Sequence, residues 1–303
     1  MIRSITIRNH LDNSIKLELT RPDLSGFIIK SIDGLGPAKA NINTADIATN
    51  DGSIFNSSRL DKRNITLDLE FFQTDTESIE DIRQKTYKYF PVKQRVYVTV
   101  ETDNHTLETE GYVESNEPNI FSANEGTNIS IICPDPFFYS KSIEETIFSG
   151  VEPLFEFPFS NESLTTPLLE LGAIQNKTEQ VIVYEGDGEV GISIHIHALG
   201  SASNIKIANV KTREIMILNT DKLATLTGSG IKAGDNIVIN TQKGNKNVTL
   251  LRDGVRTNIL NCIEKGSQWF TLVKGDNIFA YTTDSGSSNL QFYITNKVAY
   301  DGV

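Results

Sequence analysis

Two histidines on one predicted strand have the spacing of metal ligands. His195 and His197 are separated by one residue, and residues i and i+2 of a strand share a face. Imidazole is a common ligand of zinc and related metals, but such a site needs further ligands. The next six residues, 198–203, contain no His, Cys, Asp or Glu. The pattern therefore favours surface or interface histidines over a metal site.

Three glycines, Gly186, Gly188 and Gly191, have the spacing of a dinucleotide-binding loop. That loop works because a helix follows it and directs its N-terminus at the pyrophosphate. Here residues 192–197 alternate as a strand, and the loop itself contains two acidic residues. We therefore predict a hairpin turn at this position and no bound cofactor.

Trp269 is the single tryptophan of the chain. An exposed ring would be a stacking platform for a sugar, whereas a buried ring would belong to the core. The sequence contains no nucleophile elbow, no phosphate loop and no recognisable cysteine–histidine motif. We therefore expect no catalytic residue, and we keep Trp269 as the candidate carbohydrate contact.

Composition excludes several classes of partner. The 303 residues contain 28 basic and 39 acidic side chains, for a net charge of −11, which opposes binding to nucleic acid or to an anionic membrane. The first eight residues lack the apolar core of a signal peptide, and no stretch reaches the ~18 apolar residues of a membrane span. Cys133 and Cys262 lie far apart, so we expect two buried thiols and no membrane partner.

Alternating apolar and polar residues predict a mainly β protein. The runs Ile65–Phe71 and Val96–Val100 alternate with period two, as half-buried strands do. One helix is predicted at about 76–90, with a capping box from Thr74 to Glu77 and a stop at Pro91. A proline-marked run, Cys133–Ser140, then separates domain 1–140 from domain 141–303, where repeated strands and turns predict a β-sandwich.

The stretch from Ser31 to Arg63 loses this periodicity. We interpret it as a long loop with room for a short strand, and loops of this length are usually functional or disordered. Both interpretations stay open. The glycine, proline and polar residues that mark it are Gly34, Gly36, Pro37, Asn41, Asp51 and Gly52.

An acidic segment contains no Lys or Arg between Arg95 and Lys141. We predict a hairpin there that turns near residues 103–106. Its acids form either a solvated edge that discourages strand pairing or an acidic surface that repels passing DNA. The candidates for that surface are Glu101, Asp103, Glu108 and Glu110.

Several phrases resemble the distal tail family of siphophages. The resemblance is carried by residues 34–43, 51–59 and 63–65, by Cys133–Tyr139, and by Tyr300–Val303. It implies a virion protein, assembled in the bacterial host cytoplasm, whose copies form a hexameric ring. It also implies an N-terminal β-sandwich or barrel-like hub domain with one packed helix, followed by a galectin-like C-terminal β-sandwich.

The function implied by the resemblance is structural. The ring would connect the tail tube to the tail-tip, fibre or receptor-binding proteins and leave a channel for DNA, which is cargo only. The glycine, proline and polar residues of the long loop then become candidates for the oligomer interface, and the four acids Glu101, Asp103, Glu108 and Glu110 become candidates for the lumen. The alternative is a carbohydrate-binding adhesin module that holds a host cell-wall glycan, and the third reading is a metal-dependent hydrolase using His195 and His197.

Overall fold

The computed structural model describes residues 1–47, 51–153 and 172–303, with backbone only for 149–153 and 172–176. These residues divide into two compact units. The first consists of Met1–Ser142 together with Ala299–Val303, and the second of Ile143–Val298. Most of the described chain is β-strand, so the predicted mainly β fold is confirmed.

The first unit is built on one antiparallel sheet. Its described strands follow the order β2-β1-β7-β8-β9-β6-β3, and β10 pairs with β8. The strands up to this point are β1 (Ile2–Asn9), β2 (Ser14–Glu18), β3 (Phe27–Asp33), β4 (Ala40–Asp46), β5 (Ser53–Leu60), β6 (Arg63–Phe71), β7 (Arg95–Thr102), β8 (Thr106–Asn119), β9 (Gly126–Cys133) and β10 (Phe138–Ser140).

Period-two alternation places one face of this sheet in the core. Ile65, Leu67 and Leu69 of β6 are fully buried, and their partners on β9 include Ile129 and Ile131, which are also buried. Burial of such side chains is the main favourable contribution to folding. The sequence pattern therefore identifies the core face of the first unit.

Helix α2 (Ile79–Tyr89) lies against this sheet through Ile82. The predicted helix at 76–90 is present, but the predicted cap is wrong. Ser78 and Asp81 form the capping box, because each side chain accepts a hydrogen bond from the backbone N–H of the other. The N-cap is therefore Ser78, four residues beyond Thr74, the cap that the sequence predicted.

Two further helices were not predicted. Helix α1 (Pro22–Ser25) is a single turn that ends at Gly26, in the left-handed conformation. Helix α3 (Thr220–Thr227) lies in the second unit, where Asn219 caps its start and Gly228 ends it. Two short 3₁₀ turns, Leu260–Cys262 and Ser287–Asn289, complete the described helical segments.

The second unit contains two main antiparallel sheets. The larger has the order β12-β11-β23-β15-β18-β19-β20, the smaller has the order β13-β22-β16-β17, and β14 pairs with β21. The strands are β11 (Glu144–Pro153), β12 (Gly172–Asn176), β13 (Glu179–Tyr184), β14 (Val190–Gly191), β15 (Ser193–Ala198), β16 (Ser203–Asn209), β17 (Glu214–Leu218), β18 (Asn236–Asn240), β19 (Asn247–Arg252), β20 (Val255–Asn258), β21 (Thr271–Leu272), β22 (Gly275–Ser285) and β23 (Leu290–Asn296).

Aromatic contacts between the two sheets form a sandwich core. The ring of Tyr281 on β22 stacks on Phe292 of β23 with centroids 4.7 Å apart, and Phe148 of β11 packs edge-on against Tyr281 at 6.5 Å. Offset and edge-on ring pairs add to the free energy of area burial.

The sequence stretch Gly186–Gly191 connects the two sheets and leads into a strand. It is not the predicted hairpin turn, because β13 and β15 belong to different sheets.

The chain returns to the first unit at its last strand. Strand β24 (Ala299–Tyr300) pairs with β10 in the first unit, with Tyr300 opposite Phe138. The predicted second domain, 141–303, therefore differs from the second unit at both ends. The difference at the end of the chain arises from backbone pairing between residues that are far apart in sequence.

Both cysteines are buried and free, as the sequence predicts, with Cys133 in the first unit and Cys262 in the second. Burial raises the pKa of the Cys133 thiol to about 11. Among the helices of the described residues, none has the length and apolar character needed to cross a membrane.

Candidate assembly and binding surfaces

A hairpin replaces the long loop predicted between Ser31 and Arg63. Strands β4 and β5 pair only with each other among the described residues, and we call this hairpin the arm. Every residue of both strands is exposed. The loop prediction was wrong because neither face of the arm is buried by its own chain, so no period-two signal marks it.

A β-bulge gives the arm one apolar face. Asn43 pairs with Ser57 and Thr44 pairs with Phe55, which leaves Asn56 as the extra residue. Cross-strand partners share a face, as do residues two apart on one strand. Phe55 therefore shares a face with Ile42 and with Leu60, and these three side chains are 60%, 61% and 39% exposed.

The base of the arm is held by a buried arginine. Arg63 is only 2% exposed, and its guanidinium donates to the carbonyl oxygens of Gly34 and Gly36, of Pro136 at 2.8 Å and of Asp301 at 2.6 Å. Burial lowers the pKa of Arg63 from its ordinary value. One side chain thus joins the start of the arm, the turn before β10 and the last residues of the chain.

Gly34 is required at this base by two constraints. Its φ is +85°, and a Cβ there would lie 1.9 Å from the carbonyl oxygen of Asn64. The last residue of the chain adds a further tie, because the Val303 N–H donates to the Leu35 carbonyl at 3.0 Å. The base of the arm is therefore rigidly defined, although the arm itself is exposed.

The predicted interface residues lie in three parts of this hairpin: its base, strand β4 and the region near its tip. Gly34, Gly36 and Pro37 lie at the base, whereas Asn41 lies on β4 opposite Arg59. Asp51 and Gly52 precede β5 near the tip, and Gly52 adopts a φ of +97°. Residues 48–50 of the predicted loop lie outside the described residues. The interface role of all six residues stays a prediction.

The acidic candidates lie on the predicted hairpin of β7 and β8, which turns at residues 103–105. Each has a cation within 4 Å: Asp103 contacts Arg3 at 2.8 Å, Glu101 contacts Lys16 at 3.3 Å, Glu108 contacts Arg8 at 3.7 Å and Glu110 contacts Arg95 at 3.9 Å. Three of these cations come from β1 and β2.

Strand pairing therefore changes the charge of this surface. Hydrogen bonds from Ser4 and Lys16 lower the pKa of Glu101, and bonds from the chain's amino group and Arg3 lower that of Asp103. The segment is acidic in sequence, but β1 and β2 place counter-charges beside it. The lumen assignment of these acids stays a prediction.

His195 and His197 share the outward face of β15, as predicted. The His195 ring stacks on Tyr293 with centroids 4.5 Å apart and an angle of 1° between the rings, and its Nε2 lies 3.2 Å from Thr295 Oγ1. His197 Nδ1 lies 2.8 Å from Asn236 Oδ1. Within the described residues, no group of three or more His, Cys, Asp or Glu side chains forms a metal cage.

Trp269 is partly exposed beside β21, next to the fully buried Phe270. The Lys246 ammonium lies 5.6 Å from the centre of its indole ring, a cation–π arrangement. Lysine thus occupies one face of the ring that would stack on a sugar. The carbohydrate role of Trp269 stays a prediction.

A second arginine, Arg252, organises the other unit, and no sequence motif marks it. Arg252 donates Nε–H to Asp235 Oδ1 at 2.7 Å and Nη2–H to Asp235 Oδ2 at 2.6 Å. It also donates to Thr227, the last residue of helix α3, and to Ser229 and the Gly230 carbonyl just beyond the helix. Although burial alone would raise the pKa of Asp235, hydrogen bonds from Arg252 and the Lys232 backbone lower it.

The sequence matches two family models. One is the phage tail protein RIFT-related domain, over residues 18–137, and the other is the siphovirus-type tail component, C-terminal domain, over residues 185–297. Together they span most of the chain. No curated protein matches the sequence.

Solved structures with the same fold come from two phages. The Dit protein of phage SPP1, described as a paradigm of the hub adsorption apparatus in phages that infect Gram-positive hosts, aligns with a TM-score of 0.66 and 12% identity over 97% of this chain and 98% of that one. Chains of the phage P2 baseplate, in its activated conformation with Ca or Sr, align with TM-scores of 0.55 and 0.53 and identities of 11% and 10%, covering all of both chains.

The family resemblance drawn from the sequence is thereby confirmed. Both matched models describe tail components, and the fold agrees with them along the chain. The protein belongs to the siphophage distal tail family and is a structural component of the phage tail tip.

Proposed function

We propose that copies of this protein form a closed ring in which the arm of each copy packs on the next. The observation that supports this proposal is the arm itself. It is a two-stranded hairpin in which every strand residue is exposed and one face presents Ile42, Phe55 and Leu60. An isolated two-stranded hairpin is marginally stable in water. A neighbouring surface that covers this face would stabilise it.

A second copy of the chain is the occupant that this geometry favours. The arm projects from a base fixed by Arg63, so every copy presents it in the same way. Contact between the arm and a different surface of the next copy is heterologous, and a heterologous contact closes into a ring when its rotation permits. The distal tail family implies six copies.

In the virion this ring connects the tail tube to the tail-tip and receptor-binding proteins, and DNA passes through its channel without specific contacts. Assembly takes place in the host cytoplasm. The net charge of −11 supports a conduit role, because it disfavours binding to the phosphate backbone. Membership of two tail-component families supports the connection to tail proteins.

The test is the solution mass of the full chain by light scattering over a concentration series. We expect the parent to approach six times 33.6 kDa, and the variant I42S/F55S to remain monomeric because it loses the apolar face of the arm. The fold should persist in this variant, since both side chains are about 60% exposed. Its circular dichroism spectrum should therefore match that of the parent.

The matched control changes the other face of the same hairpin. Asn43 and Ser57 pair with each other on the opposite face, so N43S/S57A, which keeps Ile42 and Phe55, should form the parental ring. Rings of parental mass from I42S/F55S would contradict the role of the arm. A parent that is monomeric at every concentration would contradict assembly by this chain alone.

A further inference from the structure

Strand β13 forms an open edge of the smaller sheet in the second unit. That sheet has the order β13-β22-β16-β17, so β13 and β17 are its two edges. The segment 264–268 covers the edge at β17, where the Glu264 N–H donates to the Ile217 carbonyl at 2.8 Å and the Gln268 N–H donates to the next carbonyl in register. Within the described chain, no segment covers the edge at β13 in this way.

Half of the backbone groups of β13 face this open edge. The Tyr281 N–H donates to the Thr178 carbonyl at 2.9 Å, and the pairing of β13 with β22 continues from there without a register shift. In an antiparallel ladder, alternate residues bond to the neighbouring strand and the residues between them direct their N–H and C=O groups the other way. Glu179, Val181 and Val183 therefore present backbone groups that have no partner among the described residues.

The side chains along this edge are two exposed valines between two exposed acids. Val181 and Val183 are 47% and 60% exposed, and Val181 lies opposite Ile278 of β22. Exposed and buried residues alternate through this stretch, so Glu179 and Glu185 flank the valines on the outward face. Neither glutamate forms an ion pair within the described residues. The edge thus offers an apolar centre with a negative charge on each side.

Two edges of the first unit are protected in ways that β13 is not. Edge strand β2 presents the exposed Lys16, and edge strand β3 presents the exposed Lys30 at a β-bulge. Lysines and bulges on edge strands discourage the addition of a further strand. Strand β13 has six residues in regular register, with neither lysine nor proline. Its backbone groups are therefore open to pairing with an added strand.

The charges at this edge disfavour a second copy of the chain as the added strand. In the antiparallel register that pairs all of residues 179–185 with the same residues of another copy, each Glu179 faces a Glu185. Like charges directly opposite each other on a sheet are destabilising. A strand with Lys or Arg at these two positions forms two favourable pairs instead. Apolar side chains between them would cover Val181 and Val183.

We propose that β13 binds an extended segment of another protein, which becomes a fifth strand of the smaller sheet. The segment has apolar side chains at two alternate positions, with Lys or Arg two residues before and two residues after them. Main-chain hydrogen bonds to Glu179, Val181 and Val183 hold the segment, and its side chains give specificity. Binding does not depend on ring formation, since all of these residues lie in the second unit.

The probe is a dye-labelled heptapeptide, Lys-Thr-Val-Thr-Ile-Thr-Lys, added to the full-length protein and followed by fluorescence anisotropy. Its matched control has Glu in place of both lysines. We expect saturable binding of the lysine peptide and at least tenfold weaker binding of the glutamate peptide. Hydrogen exchange followed by mass spectrometry should slow in residues 179–184 when the lysine peptide binds, because the N–H groups of Val181 and Val183 then form hydrogen bonds.

The variant V181K tests the position of the site. It places on β13 the kind of residue that protects the edges of the first unit, and it should bind the lysine peptide at least tenfold more weakly. The matched control I215K changes an apolar residue of β17, the covered strand, where Ile215 is 36% exposed. I215K should bind like the parent. Thermal unfolding followed by Trp269 fluorescence verifies that each variant is folded.

The charge exchange E179K/E185K tests the class of partner. Both glutamates are exposed, so this variant keeps the fold and decides the question if V181K does not fold. Its preference should be reversed, with the glutamate peptide binding at least tenfold more tightly than the lysine peptide. Light scattering should give the parental mass, which separates this result from a failure of ring assembly.

Several outcomes overturn the proposal. Absence of saturable binding by the lysine peptide, or unchanged exchange in residues 179–184, rejects the site. Parental binding by folded V181K also rejects it. Equal binding of the two peptides to the parent rejects recognition by charge. If exchange in residues 179–184 slows with rising protein concentration and no peptide, a second copy covers β13 and the proposed partner is wrong.

Discussion

Each unit of this protein contains one arginine that joins loops to its sheet, but the two arginines differ in their partners. Arg63 donates only to backbone carbonyls among the described residues, and burial lowers its pKa. Arg252 forms a bidentate pair with Asp235, which raises its pKa. Backbone carbonyls cannot ionise and cannot be mutated. Only the Arg252–Asp235 pair can therefore respond to pH, and only there can both partners be substituted together.

The largest expected effect is on the second unit. R252M leaves Asp235, which is 1% exposed, as a buried charge without a counter-ion, and we expect a loss of about 3–5 kcal/mol in the free energy of unfolding. Urea denaturation followed by Trp269 fluorescence measures this, because the single tryptophan lies in that unit. The double variant R252M/D235N should regain part of the loss. A double variant less stable than R252M would contradict the paired arrangement.

The next effect is on the first unit. R63M leaves four carbonyl acceptors without their donor, and we expect a loss of about 2–4 kcal/mol that is constant between pH 5 and 8, because no acidic partner titrates. Pulsed labelling of the thiols, with mass spectrometry to locate the label, should show faster modification of Cys133. Cys262, in the other unit, should react at its parental rate. Faster labelling of Cys262 alone would contradict this assignment.

A smaller effect separates charge from hydrogen bonding at the pair. The folded pKa of Asp235 is lowered, so its contribution is present above its unfolded pKa of ~3.9 and is lost as pH falls through the folded value. We expect D235N to be about 1–2 kcal/mol less stable at pH 7, with a smaller difference from the parent below pH 4. Urea midpoints from pH 3 to 7 test this. A difference that is independent of pH would exclude the charge as its source.

The smallest effect is expected at the acidic hairpin. The ion pairs of Glu101 and Glu108 are solvent-accessible, and pairs of this kind contribute little. E101Q and E108Q should therefore unfold at the parental urea concentration within experimental error, with or without 0.5 M NaCl. A clear destabilisation in either variant would show that the ladder of charges along β1, β7 and β8 acts as a connected network.

Period-two alternation predicted most of the sheet and core, since burial of one face determines which residues alternate. The helix at Ile79–Tyr89 was predicted because it also buries one face, here with apolar residues at helical spacing. Its cap was misplaced because Thr74 and Ser78 both begin plausible capping patterns. The arm was missed because its faces are both exposed, and the bulge at Asn56 disrupts its alternation.

The arginine contacts could not be predicted from the sequence. The acceptors of Arg63 are carbonyls, which every residue carries, and one of them belongs to Asp301, 238 positions away. Local sequence is also ambiguous, because Gly-Asp-Asn-Ile occurs twice, with Asp235 buried in one copy and Asn277 in the other.

Strand β24 has a consequence for the order of events during translation. The first unit needs Ala299 and Tyr300 for its last pairing, and the Asp301 carbonyl for Arg63, yet the ribosome must first make the whole of Ile143–Val298. At ~5–20 residues per second this takes roughly ten to thirty seconds. A nascent chain thus holds an incomplete first unit while the second unit folds, and the base of the arm is finished last. Synthesis of Ala299–Asp301 then becomes a checkpoint that delays any self-association through the arm.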